Sequence, residues 1–178
     1  MSAMKENAAL LPSEEDQALK KTLRKACEQD RALMMTAQPF TAMLAMQLNL
    51  IPVVDSRLPT AGTDGKNIFF NARFMAKRSE ADRRFIIAHE VWHCAMGHFR
   101  RQLGRDSKLW NQACDYEVNH ILSAELGHCP TDALWDKRFR ELSAEEIYAR
   151  LTYGIEEPRR GQTVLDTHDL DAALNEHS

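Results

Sequence analysis

One short stretch constrains this chain more than any other: H-E-V-W-H at residues 89–93, two histidines four residues apart with a glutamate after the first. It lies in the apolar run FIIAHEVWHCAM, which follows a capping residue at Ser79 and ends near Gly97. Residues four apart lie on one face of a helix, one turn apart, so both imidazoles can bind the same ion. The spacing therefore predicts an active-site helix over residues 79–97 that carries a metal site.

The H-E-x-x-H pattern has a defined chemistry when it lies on a helix. His89 and His93 would bind zinc, and Glu90 beside them would take a proton from water as that water attacks a carbonyl. A buried helix rarely carries such polar side chains unless they are paired or bound to metal, because each unsatisfied buried polar group costs about 1–3 kcal/mol. The pattern indicates Zn²⁺ as the cofactor and Glu90 as the catalytic base.

A zinc site of this type needs a third protein ligand, and the candidates are His98, Asp115, Glu117 and His120. His98 lies on the opposite side of a continuous helix from the first histidine, so it could reach the ion only after a sharp turn at Gly97. Asp115 and Glu117 lie in a predicted ligand helix over residues 107–124, about 200° apart around its axis. Only one of the two can face the ion, and we expect the other to face solvent. His120 is expected at the surface or in a cap, and spacing alone leaves the choice open.

The rest of the pattern predicts an α+β domain that is mostly helical with a small β-sheet. Capping residues and helical spacing predict N-terminal helices over residues 13–48. Residues rich in β-branched side chains, followed by a turn at Gly65, predict two short strands that form a β-hairpin over 50–71. We expect the strand near Asn67 to Asn71 to border the cleft and to pair with an extended substrate.

Composition excludes several classes of function. With 178 residues, 44% of them hydrophobic, the chain fits one globular domain. A net charge of −3 gives no general attraction for nucleic acid or an anionic membrane, so neither is expected as a partner. The N-terminal residues lack the apolar stretch of a signal peptide, which favours a cytoplasmic location. The four cysteines form no C-x-x-C pair and are expected to be reduced thiols.

The last part of the sequence differs from the rest. Residues 155–178 are polar and contain the breakers Pro158 and Gly161, so we predict a domain over residues 1–154 followed by a tail or linker. This tail contains a second set of metal-capable side chains, Asp166, His168, Asp169 and Asp171. An alternative is that the tail docks on the core, where His168 or Asp169 would block the open position of the zinc.

Four stretches also resemble a known family: HEVWHCAMGHFRR, LWNQACDYEVNHIL, TDGKNIFFNARF and SAEEIYARL. Together, over about residues 35–153, they resemble the metallopeptidase domain of bacterial proteins that often carry a von Willebrand factor A-like domain and are frequently encoded beside MoxR-type AAA ATPases. The resemblance implies a zincin-like fold in which H-E-x-x-H is joined to an N-x-x-x-D helix, and it implies Asp115 as the third ligand. The sequence departs from the resembled pattern at Glu117, where an apolar residue is expected.

These observations lead to one main hypothesis and one alternative. The main hypothesis is a zinc metallopeptidase that hydrolyses protein or peptide substrates, with His89, His93 and Asp115 on the metal and Glu90 as general base. The alternative is an inactive, metal-stabilised binding module that holds a AAA ATPase or a von Willebrand factor A-like protein. Glu90→Gln separates the two, because glutamine keeps the size of the side chain but cannot take the proton.

Overall fold

A computed structural model of the chain describes residues 13–154. Its elements are α1 (Glu14–Ala37), α2 (Pro39–Ala45), β1 (Asn49–Val53), β2 (Ala61–Thr63), β3 (Asn67–Asn71), α3 (Ala72–Met75), α4 (Glu80–Ala95), α5 (His98–Arg101), α6 (Ser107–Leu126), a 3₁₀ turn (Lys137–Phe139) and α7 (Ala144–Thr152). The prediction of a mostly helical α+β fold with a small sheet is confirmed. The tail over 155–178, including His168 and Asp169, lies outside the described residues.

The main helices begin where side chains can satisfy free backbone N–H groups. The Ser13 hydroxyl accepts a hydrogen bond from the backbone of Asp16, and the Ser79 hydroxyl accepts one from Asp82 at the start of α4. At α7, Ser143 and Glu146 form a reciprocal capping box. These caps fix where α1, α4 and α7 begin, and α4 carries the H-E-x-x-H residues.

The sheet corrects the prediction of a β-hairpin over residues 50–71. Its strand order is β1-β3-β2, with β1 parallel to β3 and only the three-residue β2 antiparallel to it. The tight turn joins β2 to β3, where the Asp64 carboxylate accepts hydrogen bonds from the backbone N–H groups of Lys66 and Asn67. The segment Ala61–Thr63 lacks the run of β-branched residues that predicts a strand. With β2 unrecognised, β1 and β3 read as consecutive strands of an antiparallel hairpin, whereas they are parallel.

The same topology corrects the expected role of the strand Asn67–Asn71. This strand is β3, the centre of the sheet, and it is hydrogen-bonded to β1 on one side and to β2 on the other. A substrate pairs with a free strand edge, and β3 has none. The expected pairing of an extended substrate with this strand is therefore wrong.

Helix α4 lies at the centre of the molecule. It packs against α1, α2, β2 and α6, and every residue from Phe85 to Val91 is buried. A second apolar cluster, around Trp110 and Phe139, joins α6 to α7. Because α4 is enclosed by other elements, the polar side chains of its H-E-x-x-H motif are held inside the protein.

Two further features concern the whole of the described chain. Within residues 13–154, no helix combines the length and the apolar character needed to cross a membrane. The four cysteines all lie in this range and are free thiols. The prediction of reduced cysteines is consistent with this structure.

Candidate metal centre

Helices α4 and α6 bring three potential ligands to one point. Nε2 of His89 and Nε2 of His93 lie 2.8 Å apart, and Oδ1 of Asp115 lies 3.4 Å from each of them. All three side chains are 0% exposed. Within residues 13–154 they form the only group of three His, Cys, Asp or Glu side chains placed to hold one metal ion.

Burial and the neighbouring imidazoles act in opposite directions on Asp115. Removal from water raises the pKa of its carboxyl group, but the charge of His89 and hydrogen bonds to both histidines outweigh this and hold the pKa below its usual value. The carboxylate is therefore ionised at neutral pH, the form in which it can bind a cation.

A side-chain amide fixes the orientation of His89. Nδ1 of His89 lies 2.8 Å from Oδ1 of Asn119, and Nδ2 of Asn119 donates to the backbone carbonyl of Leu134 at 2.9 Å. Because the amide nitrogen is used in this way, the amide oxygen must face the imidazole and accept a hydrogen bond from its N–H group. In the neutral form of His89, which is the form that binds metal, Nδ1 then carries the hydrogen and the lone pair of Nε2 faces the cluster.

His93 has a different outer partner, which the sharp turn at Gly97 brings into place. Gly97 adopts a left-handed conformation with φ of +64°, and His98 follows it directly. Nδ1 of His98 lies 2.9 Å from Nδ1 of His93, and its Nε2 lies 3.0 Å from Oε2 of Glu117. The turn considered in the sequence does occur, but it places His98 behind a histidine and outside the three-residue group.

The donor set suits a transition metal. Two imidazole nitrogens and one carboxylate oxygen are ligands that zinc accepts readily, whereas magnesium and calcium prefer oxygen alone. Both Nε2 atoms belong to imidazoles whose Nδ1 atoms have hydrogen-bond partners. The residues present therefore fit zinc.

A family comparison gives an independent indication. A family model described as "Putative metallopeptidase domain" matches residues 22–174. The chain belongs to this family. The match includes α4 and α6, the two helices that supply the cluster, and it supports a metal-dependent hydrolase. No curated protein and no solved structure matches the chain.

In this metallopeptidase-family domain, the other candidate ligands have other contacts. Nε2 of His120 donates to the backbone carbonyl of Asp136 at 2.7 Å, away from the cluster. Asp115 lies beside His89 and His93, whereas Glu117 contacts His98. The expectation that one of them faces solvent is wrong, because Glu117 is only 8% exposed and contacts His98.

Sequence reasoning missed Asn119 and the pairing of His98 with Glu117. Asn119 follows Asp115 by four residues, which puts both on one face of a helix, and that spacing is the available signal for its position. A glycine directly before His98 and a carboxylate in place of an apolar residue at Glu117 were the signals for the second pair. Neither signal identifies its partner, since the contacts join residues 19 and 30 positions apart.

Proposed function

We propose that this domain is a zinc-dependent peptidase with a zincin-like active site. His89, His93 and Asp115 bind the zinc, and Glu90 is the general base. The observation that carries the proposal is the convergence of Nε2, Nε2 and Oδ1 from α4 and α6 at one fully buried point. Structural zinc sites have four protein ligands, whereas the described residues bring three, which suits a catalytic site with an open position.

Each residue then has a defined task. Zinc at this site would polarise the scissile carbonyl and lower the pKa of a water molecule to about 7. Glu90, next to His89 on α4 and itself fully buried, accepts the proton of the attacking water and passes it to the leaving amine. Asp115 contributes the negative charge that partly offsets the cation. Exclusion of bulk water strengthens each of these charge interactions.

The test compares the wild type with Glu90→Gln, each purified with zinc and incubated with a broad peptide library. We expect elemental analysis to find about one zinc per chain in both proteins, and mass spectrometry to find cleavage products only with the wild type. A wild type that binds no zinc, or a Glu90→Gln variant that cleaves as fast as the wild type, would contradict the proposal. Zinc binding without any cleavage by the wild type would favour the binding module for a AAA ATPase or a von Willebrand factor A-like protein.

A further inference from the structure

We propose that His98 and Glu117 are positioning residues, which hold His93 in the tautomer that can bind metal. The inference rests on the proposed function, because it assumes that Nε2 of His93 is a metal ligand. Neither residue belongs to the group of His89, His93 and Asp115, although His98 contacts His93. Their effect on the metal is exerted entirely through His93.

His93, His98 and Glu117 are joined by two hydrogen bonds in series, which we call the relay. The direction of both bonds follows from the carboxylate of Glu117 at its end. A carboxylate can only accept, so Glu117 requires that Nε2 of His98, 3.0 Å away, carries a hydrogen. A neutral imidazole carries one N–H, and Nδ1 of His98 is then an acceptor. Nδ1 of His93, 2.9 Å from it, must therefore be the donor. The lone pair of His93 is left on Nε2, the atom that lies 2.8 Å from Nε2 of His89.

The surroundings hold this relay in place. His98 is 0% exposed, and its backbone carbonyl accepts a hydrogen bond of 3.0 Å from the Trp110 indole. Nη2 of Arg101 lies 3.7 Å from Oε2 of Glu117, which places a positive charge beside the carboxylate. Gly97 supplies the turn that brings His98 back towards α4. The relay is thus buried and supported from α5 and α6.

The two histidines of the cluster are oriented by different means. His89 donates to the neutral amide of Asn119, whereas His93 donates into a relay that ends on a carboxylate. A hydrogen-bond acceptor behind a ligand histidine fixes its ring and makes its other nitrogen more basic, and loss of such a partner typically costs 10–100-fold in metal affinity. The carboxylate of Glu117 therefore acts on the metal through His98 and His93.

The first test measures the zinc Kd by competition with a chelator for the wild type, Glu117→Gln and Glu145→Gln. Glutamine at 117 can turn its amide and donate, so the direction of the relay is no longer imposed, and we expect the Kd to rise by about 10–100-fold. Glu145 is the matched control, because it pairs with the same Arg101 at 2.6 Å but has no contact with His98. We expect Glu145→Gln to keep the wild-type Kd.

A second pair of variants separates the two halves of the relay. In His98→Asn, the short amide takes the place of Nδ1 of His98 and keeps an acceptor near Nδ1 of His93. In His98→Gln, the longer amide takes the place of Nε2 and reaches towards Glu117, so Nδ1 of His93 loses its acceptor. We expect the larger rise in zinc Kd for His98→Gln. The reverse order would show that His93 does not depend on the acceptor.

The third measurement needs no variant. The chain has seven histidines, so long-range ¹H–¹⁵N spectra can resolve the protonated nitrogen of each ring in the zinc-loaded wild type. We expect the hydrogen of His93 on Nδ1 and that of His98 on Nε2. A hydrogen on Nδ1 of His98, or equal zinc Kd values for the wild type and Glu117→Gln, would overturn the inference and leave the peptidase proposal standing. A wild type that binds no zinc would overturn both.

Discussion

Oδ1 of Asn119 lies 2.8 Å from Nδ1 of His89, although the two residues are 30 positions apart in the chain. The contact joins α6 to α4 beside the cluster of His89, His93 and Asp115, and both Asn119 and His89 are 0% exposed. The orientation of His89 therefore depends on the packing of these two helices.

This contact predicts the effect of Asn119→Leu. The variant leaves two buried groups without their partner, Nδ1–H of His89 and the carbonyl of Leu134. We expect the free energy of unfolding to fall by about 1–3 kcal/mol and the zinc Kd to rise by about 10–100-fold. Chemical denaturation and chelator competition measure the two effects. Asn49→Ala, which changes an exposed amide on β1, should alter neither, and a normal zinc Kd for Asn119→Leu would show that the amide does not orient His89.

Zinc itself should stabilise the fold. At a free zinc concentration about 100 times its Kd, binding to the native state alone raises the free energy of unfolding by about 2.7 kcal/mol. For a chain of this length that corresponds to a rise in Tm of about 5–10 °C, which calorimetry with and without a chelator can measure. We expect the rise to disappear in the double variant His89→Ala, His93→Ala.

Two controls separate site binding from general effects of metal. His120→Ala removes a histidine of α6 that contacts the carbonyl of Asp136, and it should retain the full rise in Tm. Magnesium prefers oxygen ligands and should produce no rise in the wild type. A zinc-dependent rise that survives in the double variant would place the binding elsewhere.

The sequence predicts local features of this fold well and contacts between distant segments poorly. The caps at Ser13, Ser79 and Ser143 depend on residues three positions away, and the convergence of His89 and His93 depends on one helical turn. These relationships are local, so spacing alone is enough to predict them.

The failures all involve contacts between distant segments. The parallel pairing of β1 with β3 brings together residues 18 positions apart, and local propensity does not specify the direction of pairing. Glu117 is buried because the left-handed turn at Gly97 places His98 beside it. The spacing of Glu117 from Asp115 predicts exposure to solvent, because spacing within one helix contains no information about a turn at Gly97.

The buried thiol of Cys27 predicts a loss of stability at high pH. Burial, with a smaller effect from the nearby charge of Asp30, raises the pKa of Cys27 to about 12, whereas an unfolded cysteine ionises near pH 8.5. Between these values the folded state binds more protons, so its stability falls as pH rises, by up to about 1.4 kcal/mol per pH unit for this group. Denaturation at pH 8 to 11 should show this decline in the wild type and a shallower one in Cys27→Ala. Equal slopes would mean that Cys27 ionises normally in the folded protein.

The turn at Gly97 predicts a difference between two glycine substitutions of the same kind. Gly97 and Gly127 have nearly the same left-handed backbone, with φ of +64° and +61°, and an added Cβ meets no close contact at either. Alanine should therefore cost each site about 1–2 kcal/mol of stability through the backbone alone. Only Gly97 is followed by His98, whose ring must lie within hydrogen-bond distance of His93. We expect Gly97→Ala to raise the zinc Kd several-fold beyond Gly127→Ala, as measured by chelator competition on variants of matched stability; the same Kd in both would show that His93 tolerates movement of His98.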